Sequence, residues 1–278
     1  MVGISAQNRL QQAKLEELFT SRHSSIKTQT MTPATERIRE IQNRGYDFAF
    51  GAYIERGFNI FGKQAGLFIA FTLIFMVIVG FASLIPLVGP LAANLVLSPC
   101  LLAGYYLVAH KINAGERQIE FGDFFKGFDH LGKLVVVTIF TSLVLVASAI
   151  PFGFFIFVSA FNFGETSATF PFWAFVLLIP PIYLGISYAA APFFAVFYNM
   201  EAWEAMEASR KVISKKWFTV FVFSIVLGLI AALGMVVLFV GLLVAIPVIA
   251  LAQYEAFSDI MKLDQEESEE DEVLRHLV

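Results

Sequence analysis

Long apolar runs constrain the fold of this chain more than any other feature of its sequence. A helix of about 20 apolar residues can cross the hydrocarbon core of a bilayer. Hydrophobic residues make up 58% of the chain and charged residues only 15%, whereas soluble domains contain about 25% charged residues. The sequence therefore predicts an all-α integral membrane protein with six transmembrane helices. The predicted segments are residues 66–87, 91–109, 134–158, 171–198, 217–233 and 238–257.

The lysine and arginine residues supply an independent test of the six crossings. Nine precede the first segment, four lie between the second and third, four lie between the fourth and fifth, and two follow the sixth, which accounts for all 19. The opposite connections contain none, and their only formal charge is Glu165. Because positively charged connections remain in the cytoplasm, we expect both termini on the cytoplasmic side of a cytoplasmic (inner) membrane.

A short amphipathic pattern recurs ahead of the apolar segments. Residues 50–63 read FGAYIERGFNIFGK, and residues 121–133 read FGDFFKGFDHLGK. A weaker third copy runs from Trp203 to Trp217. The pattern predicts three parallel two-helix repeats, each preceded by a cytoplasmic amphipathic interfacial helix. The predicted repeats are residues 45–110, 117–200 and 201–260.

Outside this six-helix membrane domain, residues 45–260, the chain is polar. Residues 1–44 form a predicted cytoplasmic extension that lacks the apolar core of a signal peptide. Within it, Thr32 followed by Pro33 is typical of a helix start. Residues 261–278 are predicted to be an acidic cytoplasmic tail in contact with water.

Each predicted returning helix contains a proline followed six or seven residues later by a tyrosine. The pairs are Pro99 with Tyr105 and Tyr106, Pro192 with Tyr198, and Pro247 with Tyr254. This spacing puts the tyrosine about two helical turns nearer the cytoplasm. We therefore expect the tyrosine hydroxyls to lie in the headgroup region.

Aromatic side chains line one face of each amphipathic element. We expect the rings to lie at the acyl boundary and the charged residues Glu55, Arg56 and Lys63 to lie in water. Binding of a lipid or of a protein partner by these rings is the alternative. The predicted interfacial aromatic residues are Phe50, Tyr53, Phe58, Phe61, Phe121, Phe124, Phe125, Phe128, Trp203 and Trp217.

Polar side chains are sparse in the predicted segments, and none deep within them is ionisable. Intramembrane ionisable residues mark ion and proton pathways, so the sequence disfavours a proton-coupled transporter. The candidate polar and kink site in the membrane consists of Asn94, Ser98, Pro180 and Pro181. We expect the first two to form interhelical hydrogen bonds. The two prolines are expected to break or kink their helix, as in packing bends and in transporter sites.

No pattern in the sequence indicates an enzyme. The four histidines are scattered, Cys100 is the single cysteine, and the chain has no Gly-rich phosphate loop and no nucleophile elbow. His110 and His130 are expected to lie in water at the cytoplasmic interface. We therefore predict no catalytic residues, no cofactor, no metal and no nucleic-acid partner. The expected partners are the lipid bilayer and either another protein or further copies of this chain.

The order of these features resembles a group of uncharacterised bacterial six-helix membrane proteins. It is also similar to the membrane domain fused to some glycerophosphodiester phosphodiesterases. The matching residues are Phe121-Gly122 with Gly127-Phe128, Ala208-Ser209-Arg210 ahead of Trp217, and Pro247 to Tyr254. The resemblance covers residues 45–260 and implies a six-helix membrane domain without known catalytic residues.

Two hypotheses of function follow. The first is a non-enzymatic multi-pass membrane protein that acts as a scaffold, an assembly factor or a lipid-environment factor. The alternative is a permease or channel for a small neutral or lipid-like molecule. A polar cavity beside Asn94, Ser98 and Pro180-Pro181 would favour the permease. A dry core with a Phe-rich groove would favour the first hypothesis.

Overall fold

The computed structural model describes residues 33–116, 118–161, 172–237 and 240–263. This part of the chain is almost entirely helical and contains no strand. The predicted acidic tail from residue 264, the extension before residue 33, and Glu165 lie outside the described residues. In chain order the helices are α1 (Pro33–Arg44), α2 (Phe50–Lys63), α3 (Ala65–Ser83), α4 (Val88–Asn113), a 3₁₀ helix (Phe121–His130), α5 (Leu131–Phe161), a second 3₁₀ helix (Phe172–Leu178), α6 (Ile179–Ser187), α7 (Ala191–Phe197), α8 (Ala202–Ile213), a short 3₁₀ turn (Ser214–Lys216), α9 (Trp217–Val236) and α10 (Leu242–Met261).

Six helical stretches among the described residues are long and apolar enough to cross a membrane. This result confirms the predicted all-α, multi-pass class. Each stretch overlaps one predicted segment, and several begin earlier because they include an amphipathic element. The stretches are Ala65–Ser83, Val88–Asn113, Phe121–Ser159, Trp173–Phe197, Ala202–Val236 and Leu242–Met261.

The fourth stretch is divided into a 3₁₀ helix, α6 and α7. Prolines occupy the first turns of α6 and α7, where the missing N–H costs no helical hydrogen bond. The break between the two α-helices is closed by the fully buried Ser209 of α8. Its hydroxyl donates to the carbonyl of Ser187 at 2.7 Å and accepts from the N–H of Ala190 at 3.1 Å. Backbone groups freed inside an apolar region must find such partners.

The packed core lies around α4 and α10. In the most apolar stretch of α10, 67% of the residues are buried inside the protein. The same share for the most apolar stretch of Phe121–Ser159 is 11%. At the end of the molecule where α3 meets α4 and α9 meets α10, large apolar side chains are exposed, among them Leu84, Leu87 and Val236. An exposed apolar surface of this extent is consistent with contact with the lipid bilayer.

Three amphipathic elements pack against other helices and do not lie free on the surface. We call α2, the 3₁₀ helix Phe121–His130 and α8 the lead-in elements. The lead-in α2 packs against α10, the lead-in 3₁₀ helix packs against α4, and the lead-in α8 packs against α7. Each therefore contacts a helix that ends a different predicted repeat.

Glycines permit the closest of these contacts. A Cβ atom on Gly104 of α4 would collide with the carbonyl oxygen of Phe124, and one on Gly127 would collide with the carbonyl oxygen of Cys100. On α2, a Cβ atom on Gly57 would lie 2.9 Å from the backbone nitrogen of Ala252 in α10. At these positions the two backbones touch without intervening side chains.

The helix α1 is described from Pro33, where the described residues begin, and the proposed cap Thr32 lies outside them. Its apolar side chains Ile38 and Ile41 are buried, and α1 packs against α8 and α10. Arg37 donates from Nε and Nη2 to the carbonyl of Ile260, at 3.0 and 2.8 Å. Residues 33–44 therefore belong to the packed body, whereas the sequence predicts them as part of the polar extension.

Candidate functional site

A cluster of polar side chains joins α2, α4 and α10 inside the protein. At its centre is Glu255 of α10, whose side chain is 6% exposed. Asn113, the last residue of α4, donates from Nδ2 to Glu255 Oε1 at 2.6 Å. Arg56 of α2 lies 3.9 Å from the second carboxyl oxygen. One carboxyl group therefore connects the three helices.

One helical turn further along α10, Asp259 makes a second connection to α2. The hydroxyl of Tyr53, whose side chain is completely buried, donates to Asp259 Oδ2 at 2.6 Å. Arg56 also lies 3.8 Å from Asp259 Oδ1. Burial raises the pKa of Tyr53 well above its ordinary value, and the hydrogen bond to Asp259 raises it further. Tyr53 is therefore neutral at physiological pH and serves as a hydrogen-bond donor.

Deeper in the molecule the polar contacts connect α4 and α10. His110 Nδ1 lies 2.9 Å from the hydroxyl of Tyr254, and the Tyr106 hydroxyl donates to Gln253 at 3.5 Å. The Tyr105 hydroxyl lies 2.8 Å from that of Thr72 in α3. The sequence places these tyrosine hydroxyls at the headgroups and His110 in water, whereas the structure pairs them between helices.

A second ionic cluster lies where α4 meets the 3₁₀ helix. Asp123, whose side chain is 8% exposed, accepts from Lys111 at 3.0 Å and contacts Lys126 at 2.7 Å. Asp123 and Glu120 also cap the first turn of the 3₁₀ helix reciprocally. Lys111 lies 3.2 Å from Glu116 as well. Each lysine here faces a carboxylate. The ion pair between Lys111 and Asp123 joins α4 to the lead-in 3₁₀ helix and so stabilises their packing.

The described residues contain an apolar cavity of about 70 Å³ between α9 and α10, which we call the α9/α10 cavity. Its lining includes four phenylalanines, and only two of its 14 residues are polar. Ser224 donates to the Val220 carbonyl of its own helix, and Gln253 accepts from Tyr106. The lining residues are Phe48, Ala189, Ala190, Phe193, Val212, Ile213, Val220, Phe223, Ser224, Leu227, Gln253, Ala256, Phe257 and Ile260.

Among the described residues, the predicted polar and kink residues lie apart from the α9/α10 cavity. Asn94 lies in a π-helical turn (Ala93–Leu97) and donates to the carbonyl of Pro90 in its own helix at 2.8 Å. Ser98 follows that turn, and Pro180 and Pro181 begin α6 after the 3₁₀ helix. None of the four residues lines the α9/α10 cavity.

The predicted interfacial aromatic residues fall into three groups by burial. Tyr53 and Phe124 are fully buried against other helices and contribute nothing to the surface, which differs from the expectation for these two rings. The exposed ones are Phe58 and Trp203. The remaining residues are partly buried, namely Phe50, Phe61, Phe121, Phe125, Phe128 and Trp217.

Sequence reasoning missed Glu255 and Asp259 as partners of α2, and the α9/α10 cavity as a whole. A weak signal for the cluster was present, because Gln253, Glu255 and Asp259 are polar residues in an otherwise apolar final segment. Among the residues described by the structure, no group of three or more His, Cys, Asp or Glu side chains could hold a metal ion.

The fold and the site define a helical multi-pass membrane protein with interhelical polar clusters and an apolar cavity. Comparisons with protein-family models, with curated proteins and with solved structures found no match to this chain.

Replacing Tyr53 with phenylalanine is expected to lower the free energy of unfolding by about 1–2 kcal/mol, because the hydrogen bond to Asp259 is lost. A tyrosine with a raised pKa contributes this stability fully below its ordinary value near 10. The contribution is then lost as the pH rises toward the raised pKa, so the difference between variant and wild type should shrink above about pH 10. Denaturation in mixed detergent micelles measures both effects.

Tyr183→Phe is the matched control for this prediction, because the Tyr183 ring is 39% exposed. Its effect on the free energy of unfolding should stay within about 0.5 kcal/mol. Equal effects of the two substitutions would contradict the role assigned to the Tyr53 hydroxyl.

Proposed function

We propose that this chain is a non-enzymatic multi-pass membrane protein that acts as a lipid-environment factor, holding a segment of the acyl chain of a membrane lipid in the α9/α10 cavity. The observation that carries the proposal is the lining of that cavity. Phenylalanine and aliphatic side chains form nearly all of it. A hydrocarbon chain that covers this surface removes it from water. The gain in free energy is about 25 cal/mol per Å² of apolar surface covered.

The chemistry of the lining favours a lipid over a polar solute. Ser224 and Gln253, its two polar members, already have partners within the protein. A polar solute would lose hydrogen bonds to water on entering and would find few in return. An alkyl chain has no such cost.

We further propose the arrangement of the protein in the bilayer. The three lead-in elements lie on the cytoplasmic side of a cytoplasmic (inner) membrane, as do both termini, and the six helices form three parallel two-helix repeats. The cyclic order of contacts supports this arrangement, since α2 packs on α10, the lead-in 3₁₀ helix on α4, and α8 on α7. A ring of three like units gives this order.

A permease or channel is the second candidate, and the geometry supports it less well. Asn94, Ser98, Pro180 and Pro181, the residues that would form its site, do not line the α9/α10 cavity. Asn94 instead satisfies a carbonyl of its own helix. A path across the membrane would have to use other groups.

The test is to purify the protein in its native lipids and to identify the bound molecules by mass spectrometry. We expect about one tightly held lipid per chain in the wild type. The cavity-filling variants Leu227→Phe and Ser224→Leu should retain at least fivefold less, because a large side chain occupies the space of the acyl chain. Two variants are used because overpacking at a buried site costs about 1–3 kcal/mol.

Leu229→Trp is the matched control, since Leu229 lies on the same helix and is 58% exposed. It should retain lipid at the wild-type level. Equal lipid in all variants would overturn the proposal. A bound polar solute in place of lipid would favour the permease, and a stoichiometric protein partner without lipid would favour a scaffold or assembly role.

A further inference from the structure

We propose that the lipid in the α9/α10 cavity is a phospholipid with a net negatively charged headgroup, bound by Lys215 and Lys216 at the cavity entrance. This inference rests on the proposed function and identifies the chemical class of its ligand.

Lys216 lies at the start of the helix that forms one wall of the cavity. Lys216 is the last residue of the short 3₁₀ turn and directly precedes α9, whose lining residues Val220, Phe223 and Leu227 share one face of that helix. The Lys216 ammonium group lies 3.8 Å from Asp47. Asp47 directly precedes Phe48, which also lines the cavity. The contact with Asp47 therefore places this ammonium group near the cavity end formed by Phe48 and Val220.

The cavity extends away from that ammonium group into the apolar part of the molecule. From Val220 to Leu227 the wall formed by α9 is about 10 Å long, at 1.5 Å per residue. The opposite wall runs from Ile260 to Gln253 on α10. The cation thus lies at one end and the hydrocarbon lining continues from it, which matches the order of headgroup and acyl chain in a lipid.

Neighbouring cations differ from Lys215 and Lys216 in their partners. Arg210 donates to Glu207 at 2.7 and 2.8 Å, and Lys211 lies 3.5 Å from the same carboxylate. The carboxylate beside Lys216 belongs to the fully exposed Asp47, and such an ion pair in water is weak. Lys215 precedes Lys216 in the same 3₁₀ turn and is exposed. The entrance of the cavity therefore carries an excess of positive charge, which complements an anionic headgroup.

The start of α9 is also held in place. The indole N–H of Trp217 donates to the carbonyl of Tyr183 at 3.2 Å, and the two rings stack with centroids 5.4 Å apart. The backbone that carries Lys216 is thus fixed relative to α6. A fixed cation contributes more to selectivity than one at a free chain end, since less freedom is lost on binding.

The experiment uses the full chain, reconstituted in vesicles with equal amounts of phosphatidylglycerol and phosphatidylethanolamine that have the same acyl chains. After mild detergent extraction, mass spectrometry measures the ratio of the two bound lipids. We expect a preference of about 30-fold for the anionic lipid, from two lysines near the headgroup. The double variant Lys215→Gln/Lys216→Gln should bind the two lipids about equally.

The double variant Arg210→Gln/Lys211→Gln is the control and should keep the anionic preference, because both cations already face Glu207. Unchanged selectivity in the Lys215/Lys216 variant, with cavity-filling variants that still lose lipid, would overturn this inference and leave the proposed function standing. If the cavity-filling variants retain all their lipid, the proposed function itself fails. Equal loss of selectivity in both charge variants would show a general surface attraction and would also overturn the inference.

Discussion

Gly104→Ala is expected to lower the free energy of unfolding by about 3 kcal/mol or more. The added Cβ atom would collide with the carbonyl oxygen of Phe124 in the 3₁₀ helix Phe121–His130. Because the opposing atom belongs to the backbone, a change of rotamer cannot relieve the collision. Overpacking usually costs about 1–3 kcal/mol, and here a whole helix must shift.

The control for this prediction is Gly122→Ala, on the same 3₁₀ helix, where an added Cβ atom meets no other atom within 4 Å. Its effect should remain within about 0.5 kcal/mol. Gly127→Ala approaches the same contact from the other side and should be as harmful as Gly104→Ala. Denaturation in mixed micelles compares the three variants. A Gly104→Ala protein as stable as Gly122→Ala would show that α4 and the 3₁₀ helix do not touch.

Asn113→Leu is expected to lower the free energy of unfolding by about 2 kcal/mol. The substitution removes the amide that donates to the buried Glu255 carboxyl at 2.6 Å. Loss of one partner from a buried polar pair costs about 1–3 kcal/mol, and more for charged groups. The remaining cation, Arg56, is 3.9 Å away and half exposed, so it replaces the lost donor only in part.

A double-mutant cycle tests this interpretation. Replacing both members of a buried polar pair with apolar groups of similar shape is often nearly neutral, so Asn113→Leu/Glu255→Leu should be more stable than Asn113→Leu alone. Asn59→Leu, at an exposed position of α2, controls for the added apolar side chain. The single variant Glu255→Leu completes the cycle. If the loss of stability in the double variant equals the sum of the losses in the two single variants, the two side chains are not coupled and the polar cluster does not join α4 to α10.

The number of crossings could be predicted from the sequence because it depends on the length of apolar runs alone. A run such as 66–87 must become a helix if it is to satisfy its backbone in lipid, and the structure has α3 there. This feature is a property of neighbouring residues.

The packing of the lead-in elements could not be predicted in this way. Phe58 and Phe128 follow the equivalent glycines Gly57 and Gly127, yet the first is 47% exposed and the second is partly buried against the core. Burial depends on which helix lies opposite, and that helix is distant in the chain. The contact of Tyr53 with Asp259 spans 206 residues, and no local pattern identifies such a partner.

The contact between α2 and α10 has a consequence for biogenesis. The partner of Tyr53 is synthesised 206 residues later, which corresponds to roughly 10–40 s of translation at 5–20 residues per second. During that interval the face of α2 around Gly57 must remain uncovered or be shielded by lipid or a chaperone. A nascent chain released before α10 is inserted would keep that face exposed, so proteolytic quality control could distinguish truncated chains from complete ones by this single surface.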